Sequence, residues 1–199
     1  MSFFTTLDHL EYPFIHFLQN ADGTFLDGFS TLVSSVPAMP TIFGLIILVL
    51  YMRDHRLWKP LLLALIVAIL VDLIVNEWVF KTLLVHFDIF RPRPYTIHSD
   101  IVPIGYAFHD SSFPSSHMAF TTLMCIIITH FSRSFLIPGI LIIILMGLSR
   151  MHNGMHYPTD VLVGILMWIL YGTIGLWSIR RLGLEKKKWW EKIKDNFIF

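Results

Sequence analysis

The chain has 199 residues, of which 55% are hydrophobic and 15% charged, with a mean hydropathy of +0.65. That composition excludes an ordinary soluble domain and a disordered chain. A formal net charge of +1 gives no reason to expect nucleic acid as a partner. The single cysteine, Cys125, excludes an intramolecular disulfide and reads as a small core residue within an apolar run.

In chain order, residues 1–28 form an amphipathic N-terminal segment, expected at the membrane interface. No cleaved signal peptide is expected, because the first basic residue is Arg53 and no charged stretch precedes an apolar one. Apolar runs follow at 41–52 (with a weaker stretch before it), 57–80, 118–131, 135–148 and 161–179. Run 57–80 is long enough to cross a hydrocarbon core of about 30 Å at about 1.5 Å per residue, and two of the runs must borrow residues from their polar ends. The expected fold class is all-α: an integral membrane bundle of about five to six transmembrane helices, forming one membrane-embedded domain over 1–199. Residues 81–116 form a long outer loop and 182–199 an amphipathic tail. No repeat, low-complexity segment or separate soluble domain is evident.

The basic residues give this bundle an orientation. Arg53 and Arg56 lie between the first two runs with Lys59 at the start of the second, and Arg133 lies in the tight turn between the third and fourth. Arg180, Arg181, Lys186, Lys187, Lys188, Lys192 and Lys194 follow the last run. With five spans these segments share one face, which the excess of Lys and Arg makes cytoplasmic. The opposite face holds an N-terminus with acids (Asp8, Glu11, Asp22, Asp27) and no Lys or Arg, the loop 81–116, and the loop 150–159. The tail mixes lysines with Trp189, Trp190 and Phe197, the pattern of an interfacial anchor; binding of a specific anionic lipid is the functional alternative.

Three polar clusters fall on the outer face. In SRMHNGMHYPTD, Ser149 and Arg150 precede His156 and Asp160 between two apolar runs. Charge at a bilayer edge is usually functional, and a His beside a carboxylate is prepared for nucleophilic or acid–base work. A structural ion pair of Arg150 with Asp160 is the alternative. FRPRPY places Arg91 and Arg93 beside stiffening prolines, and guanidinium suits bidentate recognition of phosphate; contact with lipid headgroups is the plainer reading. FPSSH puts Ser115 and Ser116 where one of them caps a helix, beside His117. A hairpin of the third and fourth runs, turned at 132–134, returns Arg150 and His156 to the side of His117, and the second run delivers Lys81 there. Several cations, a helix N-terminus and two histidines make a phosphate site with acid–base capacity.

These motifs resemble the type 2 phosphatidic acid phosphatase superfamily of integral-membrane lipid phosphatases, whose site is shared with vanadium haloperoxidases. The family pattern is Lys-x6-Arg-Pro, Pro-Ser-Gly-His, then Ser-Arg-x5-His-x3-Asp. The third element is matched by Ser149, Arg150, His156 and Asp160, and the second by Pro114, Ser115, Ser116 and His117, with Ser116 for Gly. The first departs: nine residues separate Lys81 from Arg91, and eleven separate it from Arg93. The common Arg-Pro-Arg-Pro form of the family places the motif arginine at Arg93.

The resemblance implies that His156 attacks phosphorus to form a phosphohistidine, oriented by Asp160, and that His117 protonates the leaving oxygen. Lys81, Arg93 and Arg150, helped by the Ser115 hydroxyl and amides near Ser116, would neutralise the phosphoryl oxygens, and Arg91 is a further substrate-binding candidate from the FRPRPY cluster. No cofactor and no metal are expected, since the cations suffice and no cluster of carboxylates is evident. His152 reads as a wall residue of the loop; His86, His98 and His109 as solvated or headgroup-facing; and Asp72, Asn76 and Glu77 as braces for Lys81.

The expected function is therefore a membrane lipid phosphatase in a bacterial inner membrane, with its site toward the periplasm or exterior. Its partners would be the bilayer and a phosphorylated lipid: undecaprenyl diphosphate, phosphatidylglycerophosphate, phosphatidic acid or a lipid A phosphate. A haloperoxidase would need vanadate. A small transporter or lipid-binding protein using the basic outer loop is the non-enzymatic alternative, and it leaves His117, Arg150, His156 and Asp160 unexplained.

Overall fold

A computed structural model describes residues 3–20, 24–35, 37–55, 58–71, 73–74, 78, 81–87 and 89–181. The tail 182–199 and the bracing residues Asp72, Asn76 and Glu77 lie outside the described residues, as does the Lys81 side chain. Among the described residues the regular structure is helical and no strand occurs. The helices are α1 (Phe3–Asn20), α2 (Thr24–Ser34), α3 (Ala38–Arg53), α4 (Trp58–Val71), α5 (Lys81–His86), α6 (Pro94–Ile97), α7 (Ser116–Phe131), α8 (Leu136–His152) and α9 (Pro158–Arg181).

Helix α7 is the centre of the bundle, with α9 and α8 as its main partners and α4 and α3 behind it. Its buried Met118, Met124, Cys125 and Ile128 meet Phe43 and Ile47 of α3, Leu61 and Leu65 of α4, Met146 of α8 and Trp168 of α9. Phe43 and Phe120 meet edge to face at 5.8 Å, the geometry that ring quadrupoles favour. A 3₁₀ turn at Arg133–Phe135 joins α7 to α8, closed by the Phe135 amide on the Ser132 carbonyl at 3.0 Å. So short a connection folds α8 back along α7 and returns the chain to the end where α7 began.

The helices turn apolar side chains outward. Ile137, Leu141 and Ile144 of α8 are 70%, 54% and 51% exposed, and Leu162 and Leu166 of α9 continue the pattern. Aliphatic stripes of this length are costly in water and at home in hydrocarbon. One segment among the described residues, Arg133–His152, is long and apolar enough to cross a bilayer, and a second qualifies if Phe25–Val33 and Ala38–Arg53, bent by 78°, count as one span. The apolar stretches Ser116–Phe131 and Pro158–Ile169 are shorter. Part of run 57–80 lies outside the described residues.

Helix α1, expected at the membrane interface, packs on α8 and on the outer loop. Ile15 is fully buried against Ile101 and Tyr157. Gln19 clamps the loop to the end of α8: its amide donates to the carbonyls of Val102 at 2.5 Å and His152 at 3.1 Å, and its oxygen accepts the Val102 amide.

Candidate active site

The turn between α8 and α9 sets the centre of the site. Gly154 has φ +66°, and a side chain there would meet Ile101 at 2.8 Å, so glycine is the residue that lets the chain reverse under the outer loop. The reversal brings His156 to within 2.7 Å of the Ser112 carbonyl through Nδ1. A carbonyl only accepts, so Nδ1 carries the proton and Nε2 keeps a bare lone pair. His156 is 3% exposed. Burial, then the positive charges of Arg93, Arg150 and His117, hold its pKa well below the ordinary 6.5, against the raising effect of the Ser112 carbonyl. The imidazole is therefore neutral and fixed in one tautomer.

Arg93 reaches this centre from the extended segment before α6. Its Nη1 donates to the Met155 carbonyl at 3.1 Å and its Nη2 pairs with Asp110 at 2.6 Å. Arg150, in the last turn of α8, is 3% exposed and lines a cavity of about 480 Å³ with Phe108, Asn153 and Met155. Proline at 94 starts α6 directly after Arg93, fixing the backbone that presents the guanidinium. His117 occupies the first turn of α7, where its charge acts on His156.

Ser115 stands at the N-cap of α7 with extended φ and ψ, but its hydroxyl makes no capping bond. Its Oγ is buried and has no hydrogen-bond partner, while its amide donates to the Asp160 carbonyl at 3.2 Å. Ser116 is the first residue of α7. Helix α9 presses close here: a Cβ on Gly164 would stand 2.8 Å from the Ser115 carbonyl, so glycine permits the contact. The result is a helix N-terminus with an uncommitted hydroxyl beside the histidines, suited to an anion.

The structure thus brings His156, His117, Arg93 and Arg150 together, with Ser115 and Ser116 at the adjoining helix end. Asp160 is fully buried, but its Oδ2 stands 3.8 Å from His156 Nδ1, outside hydrogen-bond range. Its oxygens go instead to Arg91 Nη1 at 2.7 Å and the Tyr157 amide at 2.8 Å. Arg91 has partners of its own in Glu11, Thr159 at 2.6 Å and the face of Tyr157 at 3.8 Å. Lys81 opens α5. Among the described residues no three His, Cys, Asp or Glu side chains converge as a metal centre would require.

Sequence reasoning missed the Ser112 carbonyl, a backbone contact that no side-chain pattern reveals. It also read Glu11 only as part of an acidic terminus, although Glu11 accepts the Thr159 amide at 2.6 Å. His98 is not solvated: it pairs with Asp8 at 2.9 Å and stacks on Tyr12 at 4.1 Å. His152 is engaged outside the cluster, by Asp27 at 2.8 Å and the Leu18 carbonyl at 2.9 Å.

Comparison with known proteins agrees with the motifs. Over 83 residues the chain is 35% identical to "Undecaprenyl-diphosphatase BcrC" of Bacillus subtilis, covering 42% of each protein. Over 93 residues it is 28% identical to "Bacitracin transport permease protein BcrC" of Bacillus licheniformis, covering 45% of each. The chain thus matches less than half the length of these curated relatives. The crystal structure of Aquifex aeolicus LpxE has a similar fold, with a TM-score of 0.61 and 24% identity over 84% of this chain and 94% of that one. Residues 60–183, more than half of the chain and all of the His117, Arg150, His156 and Asp160 motifs, match the model of the PAP2 superfamily, and the chain belongs to that family.

Proposed function

We propose that the protein is a membrane lipid phosphatase that works through a phosphohistidine on His156. The observation that carries this reading is a neutral, buried imidazole with a bare Nε2, ringed by Arg93, Arg150 and His117. Phosphoryl transfer asks little of a protein beyond in-line placement and neutralisation of the equatorial oxygens. In the first step the Nε2 lone pair forms a bond to the terminal phosphorus, and the bond from that phosphorus to the leaving oxygen breaks, the bridging oxygen of a lipid diphosphate or the ester oxygen of a lipid monophosphate. The departing oxygen takes a proton from His117. In the second, water attacks the phosphohistidine and gives its proton to His117, and inorganic phosphate leaves as the N–P bond breaks. Arg93 and Arg150 hold the oxygens with the Ser115 hydroxyl and amides near Ser116, and the motif resemblance adds Lys81.

The substrate we assign is a lipid diphosphate, undecaprenyl diphosphate first. The Bacillus subtilis relative's name supports that choice over phosphatidylglycerophosphate, phosphatidic acid and lipid A phosphates. The protein sits in the cytoplasmic membrane as a bundle of five to six spans with its site outward, a placement supported by the apolar helix exteriors and the distribution of Lys and Arg. Phosphate release from these four lipids, assayed side by side with purified protein in detergent, tests the reading. Fastest turnover of undecaprenyl diphosphate, abolished in His156→Ala, is the expected result. No release from any of them overturns it.

A further inference from the structure

Arg91 is 1% exposed, yet the FRPRPY cluster makes it a candidate phosphate ligand beside the motif arginine Arg93. Its surroundings point to other work. Nη2 pairs with Glu11 of α1, and Nη1 donates to Thr159 at 2.6 Å and Asp160 at 2.7 Å. The ring of Tyr157 covers one side of the guanidinium at 3.8 Å. Glu11, itself buried, also takes the Thr159 amide at 2.6 Å and the Thr159 hydroxyl at 3.1 Å. Two carboxylates enclose one cation, so the guanidinium charge is already answered before any phosphate arrives.

The same residue grips His156 from two directions. On one side the Arg91 carbonyl accepts the Ser112 amide at 2.8 Å, and the Ser112 carbonyl accepts His156 Nδ1–H at 2.7 Å. On the other, Arg91 fixes Asp160, whose second oxygen takes the Tyr157 amide next to His156. Glu11 comes from α1, outside the residues 60–183 that match the family, and joins Arg91, Thr159 and Asp160 within them.

We propose that Glu11 and Arg91 form one positioning unit that fixes the tautomer and aim of His156, and that Arg91 does not bind the substrate phosphate. The unit rests on the reading of His156 as nucleophile, and misplacement of a reacting atom by about 1 Å costs on the order of a hundredfold in rate. Glu11→Gln is the gentler variant, because it leaves Arg91 paired with Asp160 and keeps an acceptor for Thr159. Arg91→Met removes the cation at similar length.

The experiment measures two things in the wild type, in both single variants and in the double variant. Histidine-nitrogen NMR in detergent, with His156→Gln identifying the signal, reads the His156 tautomer without any turnover. Steady-state phosphate release with orthovanadate inhibition reads the chemistry. The expected result is a single Nδ1–H tautomer in the wild type and a mixture in both single variants. With it, kcat falls about a hundredfold, vanadate inhibition stays within about twofold, and the double variant is no worse than Arg91→Met. Retention of the single tautomer in both single variants, or vanadate inhibition weakened about tenfold or more in Arg91→Met, overturns the proposal. A wild type without turnover would remove the phosphatase reading, and the NMR result would still decide the role of the pair.

Discussion

His156 is useful because it is neutral where an exposed histidine would be partly charged. Burial and the cations Arg93, Arg150 and His117 keep its pKa well below 6.5, so Nε2 stays available through neutral pH. The acid limb of kcat/KM in the free enzyme should accordingly lie below 6.5, as a pH–rate profile would show. The same shift sets a stability slope. Below 6.5 the unfolded chain takes up a proton at this position and the folded one does not, so stability falls as pH drops through 6.5 toward the folded value. His156→Gln should flatten that slope in denaturation curves taken across the window. His117→Ala should cost about 10²–10⁴ in kcat on a lipid monophosphate, whose alkoxide must be protonated. The loss should be smaller on a lipid diphosphate, because a phosphate leaves more readily, and equal losses on both would remove His117 from the role of acid.

At the scale of elements, the site is held by the contact of α7 with α9. Gly164→Ala places a methyl 2.8 Å from the Ser115 carbonyl and 3.1 Å from Met118. Overpacking of this kind costs about 1–3 kcal/mol, read as a lowered unfolding temperature in detergent, and activity should fall with it because Ser115 is displaced. Much of this arrangement was legible in the sequence. The length of the apolar runs and the polar break at 132–134 announced the α7–α8 hairpin, and the hairpin placed His156 beside His117. What pattern could not supply was contact between distant segments. Glu11 finds Arg91 at a separation of 80 residues and Thr159 at 148, and nothing around Glu11 marks either partner. Asp160 beside a histidine suggested a hydrogen-bonded pair, whereas the first partner of His156 is the Ser112 carbonyl, which depends on how the outer loop lies.

Over the whole molecule, the proposed orientation rests on the distribution of charge. Of the 15 Lys and Arg residues, 11 fall on the face assigned to the cytoplasm, and the other four are Lys81, Arg91, Arg93 and Arg150. A cysteine introduced at Ser99, an exposed position in the outer loop, should react with a membrane-impermeant thiol reagent in sealed cells, and one introduced at Lys187 should not. Labelling at the Lys187 position alone would invert the topology and move the substrate pool to the cytoplasmic leaflet. The chemistry itself is tested most directly by trapping its intermediate. Purified protein mixed with undecaprenyl diphosphate radiolabelled in the terminal phosphate, then quenched in base, should carry an acid-labile, base-stable label on His156 that His156→Ala lacks. Rapid turnover with no label on His156 at any quench time, or equal labelling of His156→Ala, would contradict a phosphohistidine mechanism.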